Sequence, residues 1–93
     1  MLEMILTIHG KVQGVGFRYS VIDNIESEQI IVRGYICNKP NGTVEIVAQG
    51  DIESLKDLRR IAVAGSDNSS IRDVEEVIQE IDEYTYDSFN ISY

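Results

Sequence analysis

The chain has 93 residues, of which 43% are hydrophobic, and this apolar content can build one small core without a metal ion or a disulfide. A second domain is therefore excluded, and residues 1–93 are predicted to form a single domain. The formal net charge of −8 at pH 7 disfavours binding to nucleic acid or to anionic membrane surfaces. No stretch has membrane-spanning length and no secretory signal is recognised, so a cytoplasmic protein is expected.

The acidic residues, the cysteine and the other metal-binding residue types do not indicate a specific function. Residues 51–93 contain eleven of the sixteen acidic residues, which we interpret as a solvated surface. The single cysteine, Cys37, cannot form an internal disulfide and is expected to be an ordinary half-buried thiol. No cluster of histidine, cysteine or carboxylate residues has metal-ligand spacing, so neither a metal ion nor a cofactor is predicted.

The first predicted strand runs from Met4 to Val12, because apolar and polar residues alternate there as on a sheet covered on one side. It leads into a glycine loop followed by an arginine, with the sequence Gly10-Lys11-Val12-Gln13-Gly14-Val15-Gly16-Phe17-Arg18. Glycine permits positive φ angles and a close approach of the backbone to a ligand, so that successive N–H groups can point at one spot.

A helix is predicted after this loop, from Phe17 to about Ser27, and its free amides and positive dipole end would add to the same site. Arg18 carries a planar fork of donors that suits phosphate or carboxylate. The loop is therefore interpreted as an oxyanion or phosphate site, although plain turn chemistry explains three glycines as well. The fingerprint of a dinucleotide loop is absent, because Tyr19 stands where that fingerprint needs a glycine.

Two further strands, Ile31 to Lys39 and Thr43 to Gln49, are predicted to form a hairpin around a turn rich in proline, asparagine and glycine. Asn38 lies at the end of the first of these strands and shares the parity of the inward-facing Ile36. Its neutral amide suits the holding of a water molecule, but an asparagine beside a turn also commonly caps the hairpin. The pattern leaves both interpretations open.

A second helix is predicted from a cap at Asp51 to about Gly65, because an apolar stripe recurs at helical spacing between them. Residues 71–81 are ambiguous, since their valines and isoleucines fit a helix as well as a strand, and spacing alone predicts a helix. Residues 89–93 alternate as a short final strand.

The glycine loop and the hairpin together resemble the acylphosphatase family, small hydrolases of carboxyl-phosphate anhydrides. The resemblance spans nearly the whole chain and includes Gly34-Tyr35, Asn38, Gly42-Thr43-Val44-Glu45, Gln49-Gly50, Gly65-Ser66 and Phe89-Asn90-Ile91-Ser92-Tyr93. Two ordered motifs about twenty residues apart are far more specific than either motif alone. The chain departs from the family pattern at Cys37 and Asn41, where a basic residue and an aspartate are common.

The resemblance implies that residues 71–81 form a fourth strand, which gives the order βαββαβ with a short terminal strand. The expected fold is the ferredoxin-like α+β sandwich, an open antiparallel sheet with two helices on one face. The resemblance also implies an enzyme in which Arg18 binds the phosphoryl group and Asn38 orients the attacking water. The predicted phosphate-binding loop comprises Gln13, Gly14, Val15, Gly16, Phe17 and Arg18.

The chemistry of this reaction requires little from the protein. An acyl phosphate expels a carboxylate whose conjugate acid has a pKa of about 4, so no general acid is needed. We therefore predict metal-free, in-line attack of water on small acyl phosphates, with carboxylate and inorganic phosphate as products. His9, the only histidine, is interpreted as a half-exposed strand residue rather than a base.

Inorganic phosphate is also predicted to inhibit, because the amide cradle should bind free oxyanions. The chain is expected to act as a monomer. The alternative function is a binding or regulatory module of the same fold that holds an anion without turnover. Asn38 favours the enzyme, because a pure binding site has no use for a group that orients water. The acyl group itself is not specified, since every predicted contact is to phosphate.

Overall fold

The computed structural model describes residues 1–93 and contains one five-stranded sheet and two helices. In chain order the elements are β1 (Leu2–Lys11), α1 (Phe17–Ser27), β2 (Arg33–Asn38), β3 (Val44–Gly50), α2 (Ile52–Ala64), β4 (Ser70–Glu80) and β5 (Phe89–Ile91). The strands lie side by side in the order β4-β1-β3-β2-β5. This is the ferredoxin-like α+β arrangement that the sequence predicted, with the short strand added at one edge.

The core lies between the sheet and the two helices. Met4, Leu6 and Ile8, which alternate along β1, are each at most 1% exposed, as a strand covered on one face requires. Both helices bury an apolar stripe in the same cluster, formed by Phe17, Val21 and Ile25 of α1 and by Leu55, Leu58, Ile61 and Ala62 of α2. The two helices therefore cover one face of the sheet, as predicted.

The hairpin begins two residues later than its apolar pattern suggested, at Arg33 rather than Ile31. Arg33 pairs with Gln49 near the end of β3. Residues before Arg33 find no partner strand, because Asp51 already acts as the N-cap of α2 and accepts a hydrogen bond from the Ser54 N–H at 2.8 Å. The start of α2 thus determines where β2 can begin to pair.

Residues 71–80 lie in strand β4, which the family resemblance implied and helical spacing did not, whereas Ile81 lies just beyond the end of the strand. β4 pairs antiparallel along all of β1, from Leu2 opposite Glu80 to Lys11 opposite Ser70. Because β4 lies at the edge of the sheet, Val77 and Ile78 are 58% and 42% exposed and the alternation typical of a strand is lost. Long-range pairing with β1, rather than local spacing, determines this element.

The terminal strand corrects one detail of the predicted sheet. The pairs β1–β3, β1–β4 and β2–β3 are antiparallel, whereas β5 pairs parallel with β2. β4 ends beside Leu2, at the same end of the sheet where β2 begins. The chain crosses the sheet at that end, where the Thr85 N–H donates to Gln49 Oε1 at 2.8 Å, and then runs in the direction of β2.

Two isoleucines test the register of β2. Ile36 is fully buried whereas Ile31, just before the strand, is 78% exposed. Ile36→Ala should lower the free energy of unfolding by about 2–5 kcal/mol, because it leaves a cavity in the core. Ile31→Ala should change it by less than about 0.5 kcal/mol. Denaturant unfolding of both variants measures the difference, and equal losses would contradict the pairing described here.

Candidate active site

The loop between β1 and α1 presents backbone N–H groups that have no partner. Gly14 and Gly16 adopt positive φ angles of 72° and 78°, and Gly16 is the N-cap of α1. Glycine has no side chain, so no side-chain oxygen caps the helix. The N–H groups of residues 14–19 donate to no group of the chain. These residues, which we call the cradle, combine free donors with the positive end of a helix dipole and can bind an oxyanion.

A cavity of ≈ 230 Å³ opens at the cradle. Four of the six residues predicted for the phosphate-binding loop line it together with two neighbours, and the full set is Val12, Gly14, Gly16, Phe17, Arg18 and Tyr19. The other two predicted residues do not line the cavity, because Val15 packs against the core and Gln13 bonds to the hairpin.

Arg18 lies half-buried in the first turn of α1 and forms no ion pair with any carboxylate of the chain. Its guanidinium carbon is 5.4 Å from the centroid of the Tyr93 ring, within the range of a cation–π contact. Because no carboxylate neutralises it, its charge is available to an anion bound in the cradle. The planar guanidinium fork suits two phosphoryl oxygens at once.

Tyr93, which the sequence placed only in the final strand, does not line the cavity but contacts two residues that do, Arg18 and Tyr19. Its hydroxyl lies 3.1 Å from the Tyr19 hydroxyl, and this hydrogen bond raises the pKa of Tyr93. β5 ends at Ile91, but the Ser92 N–H still donates to the Ile36 carbonyl, so the last residues continue beside β2. Tyr93 thereby lies next to Arg18 and Tyr19. The signal for it was the segment Phe89-Asn90-Ile91-Ser92-Tyr93, which formed part of the family resemblance.

Asn38 is the last residue of β2, where it pairs with Val44 across the hairpin and is exposed to solvent. The hydrogen bonds that cap the turn belong to Asn41, whose Oδ1 accepts from the Thr43 N–H at 3.1 Å and from Thr43 Oγ1 at 2.6 Å. The turn therefore does not need the Asn38 side chain. That amide stands at the strand end with both donor and acceptor free for a ligand or a water molecule.

The loop and the hairpin are joined by one side chain. Gln13 Nε2 donates to the Lys39 carbonyl and to the Thr43 carbonyl, both at 2.8 Å. Lys39 follows Asn38 directly, and Gln13 precedes the first cradle residue. Proximity also appears in the electrostatics, because the Arg18 guanidinium acts to lower the pKa of Cys37, the neighbour of Asn38. Gln13 thus joins the loop that precedes Arg18 to the turn that follows Asn38, but Asn38 itself does not line the cavity.

Cys37 has the properties of an inert thiol. Burial is the main cause that raises its pKa, and the nearby Glu45 carboxylate adds to the effect, while Lys39 and Arg18 oppose it. The thiol is accordingly protonated at neutral pH and is a poor nucleophile. Cys37 also alternates with Asn38 along β2, so the two side chains point to opposite faces of the sheet.

His9 faces away from the cavity as well. Its Nε2 contacts Glu75 Oε2 of the neighbouring strand β4 at 2.5 Å, and it is absent from the cavity lining. No group of three or more histidine, cysteine, aspartate or glutamate side chains is arranged to hold a metal ion. Neither helix has the length and apolarity needed to cross a membrane.

Comparison with known proteins places this geometry in a family. The family model described as Acylphosphatase matches residues 4–91. An acylphosphatase of Bacillus licheniformis is 42% identical over 94 residues, and the match covers 100% of both chains. The crystal structure of acylphosphatase from Bacillus subtilis superposes with a TM-score of 0.88 at 31% identity, again over 100% of both chains. An acylphosphatase structure from Coxiella burnetii gives a TM-score of 0.78 at 30% identity and covers 97% of this chain and 90% of that one. As the glycine loop and the hairpin predicted, the chain belongs to the acylphosphatase family.

Proposed function

We propose that this acylphosphatase holds the phosphoryl group in the cradle and on Arg18, while Asn38 orients a water molecule for in-line attack on phosphorus. Membership of the family makes the substrate an acyl phosphate and the products a carboxylate and inorganic phosphate. The observation that carries the mechanism is that unpaired backbone donors and an arginine without a carboxylate partner border one cavity. Such a site can balance the charge on three phosphoryl oxygens with protein groups alone.

Positioning and charge stabilisation account for most of the catalysis of phosphoryl transfer. The cradle supplies fixed N–H dipoles that need no rearrangement when charge shifts during the reaction. Arg18 adds a charge-assisted pair of hydrogen bonds to the same oxygens. These contacts fix the phosphorus, so that the direction of attack depends only on where the water is held.

Asn38 is the group proposed to hold that water. Its amide carries a donor and an acceptor, which matches a water molecule that must present a lone pair to phosphorus. The leaving carboxylate needs no proton, because the pKa of its conjugate acid is about 4. The proton of the water passes to a phosphoryl oxygen of the substrate, since His9 is engaged by Glu75 and burial keeps Cys37 protonated.

The alternative function is an anion-binding module of the same fold. Such a module would need the cradle and Arg18 but not the free amide of Asn38. The relative from Bacillus licheniformis, matched over its whole length, is itself an acylphosphatase, which favours the enzyme.

We further propose that residues 1–93 act as a single-domain, monomeric and cytoplasmic enzyme that needs no cofactor. The net charge of −8 supports the absence of nucleic-acid and anionic-membrane partners. The proposed contacts hold the phosphoryl group and the attacking water, and none holds the acyl group, so we expect several small acyl phosphates to be accepted. For the same reason inorganic phosphate should compete with substrate.

Release of phosphate from an aromatic acyl phosphate tests the metal-free site. Turnover should continue at an unchanged rate with a strong chelator present, because the protein groups alone balance the charge of the phosphoryl group. Inorganic phosphate should raise KM and leave kcat unchanged, since it occupies the cradle. Loss of activity on chelation would contradict the metal-free mechanism. If inorganic phosphate well above the substrate concentration left the rate unchanged, the assignment of the cradle as the phosphate-binding site would be contradicted.

Substitutions at Arg18 and Asn38 should affect phosphate binding and turnover in different ways. Arg18→Ala removes the charged fork, so the affinity for phosphate should fall about 10- to 100-fold and kcat should fall as well. Arg18→Lys should lose most of the same function, because an ammonium group cannot bind two oxygens in one plane. Asn38→Ala should lower kcat by about 100-fold or more with nearly unchanged phosphate affinity. Calorimetry with phosphate, beside steady-state kinetics, separates binding from turnover.

Asn24→Ala is the matched control for the asparagine variant. Asn24 lies in α1, and its amide donates to the Ser20 carbonyl at 2.8 Å, outside the cavity lining. This change should leave kcat and phosphate affinity within about twofold of the parent. A folded Asn38→Ala protein that binds phosphate and keeps the parental kcat would falsify the role of Asn38.

A further inference from the structure

The Gln13 amide spans the two ends of the hairpin turn. Its two N–H groups match the two carbonyls they reach, those of Lys39 and Thr43, and both distances are 2.8 Å. The same two residues also close the turn on themselves, because the Lys39 N–H donates to the Thr43 carbonyl at 2.8 Å. Gln13 therefore fixes the backbone on both sides of the turn at once.

This contact connects the two halves of the proposed site. The phosphoryl group would be held by the cradle, which starts one residue after Gln13, and the water by Asn38, one residue before Lys39. No other side-chain hydrogen bond joins the loop to the hairpin. Because the cradle and Asn38 lie on different elements, the separation of phosphorus and water depends on how these elements are docked.

The Gln13 side chain is not free to bind phosphate, although the sequence placed Gln13 among the phosphate-binding residues. Both of its donors are already used by carbonyl groups, and it does not line the cavity. A glutamate could not replace it, because a carboxylate donates no hydrogen bond and would face two carbonyl oxygens. The carboxamide is therefore suited to docking the loop rather than to binding the ligand.

We propose that Gln13 is a positioning residue, which sets the place of the Asn38 amide relative to the phosphoryl group and so controls attack by water. The inference rests on the proposed function, since it assigns Gln13 a task in that reaction. A misplacement of about 1 Å can cost about 100-fold in rate. Loss of the Gln13 bonds should thus affect the chemical step and spare the binding of phosphate.

Gln13→Met tests this, because methionine keeps the length of the side chain and removes both donors. We expect kcat to fall at least about tenfold, with KM and the phosphate dissociation constant within about twofold of the parent. If Gln13 bound phosphate through its side chain, the substitution would instead raise both KM and the phosphate dissociation constant. An unchanged kcat, or a rise in both constants that accounts for the loss, would overturn the proposal.

Gln49→Met is the matched control. Gln49 is a glutamine that is 1% exposed, and its Nε2 donates at 2.8 Å to Glu3 and at 2.8 Å to Thr85. It lies near the far end of β3 from Val44, the partner of Asn38. This variant should lose thermal stability at least as much as Gln13→Met but keep kcat within about twofold at a temperature where both are folded. A matching loss of kcat would show that general loosening, not positioning, explains the Gln13 result.

A double-mutant cycle with Asn38→Ala completes the test. If Gln13 acts through Asn38, then Gln13→Met should lower kcat by less than about threefold in the Asn38→Ala background. Independent, multiplying losses would overturn the proposal. If Asn38→Ala alone abolishes most turnover while Gln13→Met does nothing, only the present inference fails. If the parent does not hydrolyse acyl phosphates, or Asn38→Ala keeps the parental kcat, the proposed function fails and this inference fails with it.

Discussion

Burial of the first turn of α1 is the constraint on which the site depends. Phe17, its first residue, is 1% exposed, and Val21 and Ile25 follow it into the core at helical spacing. The helix cannot move from the sheet without exposing these side chains, so its N-terminus has a fixed place. An uncapped N-terminus costs stability, because its amides have no partner within the helix. The same free amides, together with the helix dipole, suit the cradle to the oxyanion that we propose it binds.

The sheet brings the second half of the site to the first. Pairing of Ile36 with Ile46 in the core fixes the register of β2 and β3, so the turn and Asn38 emerge at one end of the sheet. The glycine loop leaves β1 at the same end, because Ile8 pairs with Val44. The proposed anion binding thus depends on a local segment, whereas the proposed placement of water depends on the tertiary fold. That separation explains why binding and turnover can be tested independently.

Local chemistry made much of this structure predictable. Helix α1, the hairpin and the capped helix α2 can each be predicted from residues close together in the sequence. The same holds for the cradle with Arg18 beside it. Features that depend on residues distant in the sequence could not be predicted in this way. The spacing in β4 predicts a helix, because an edge strand shows little alternation of apolar and polar residues. β5 runs parallel to β2 because of the route that the preceding linker takes across the sheet. The side-chain contacts of Gln13, which was predicted only as part of the phosphate-binding loop, were not predicted either, since nothing local reveals acceptors 26 and 30 residues away.

Hydrolysis of an acyl phosphate in water enriched in oxygen-18 tests the central claim most directly. Attack on phosphorus and attack on the carbonyl carbon place the oxygen of the water in different products, which mass spectrometry distinguishes. If the cradle fixes the phosphoryl group and Asn38 directs water to it, the label should enter inorganic phosphate and be absent from the carboxylate. Label in the carboxylate would mean that water attacks carbon, and it would contradict the roles of both the cradle and Asn38.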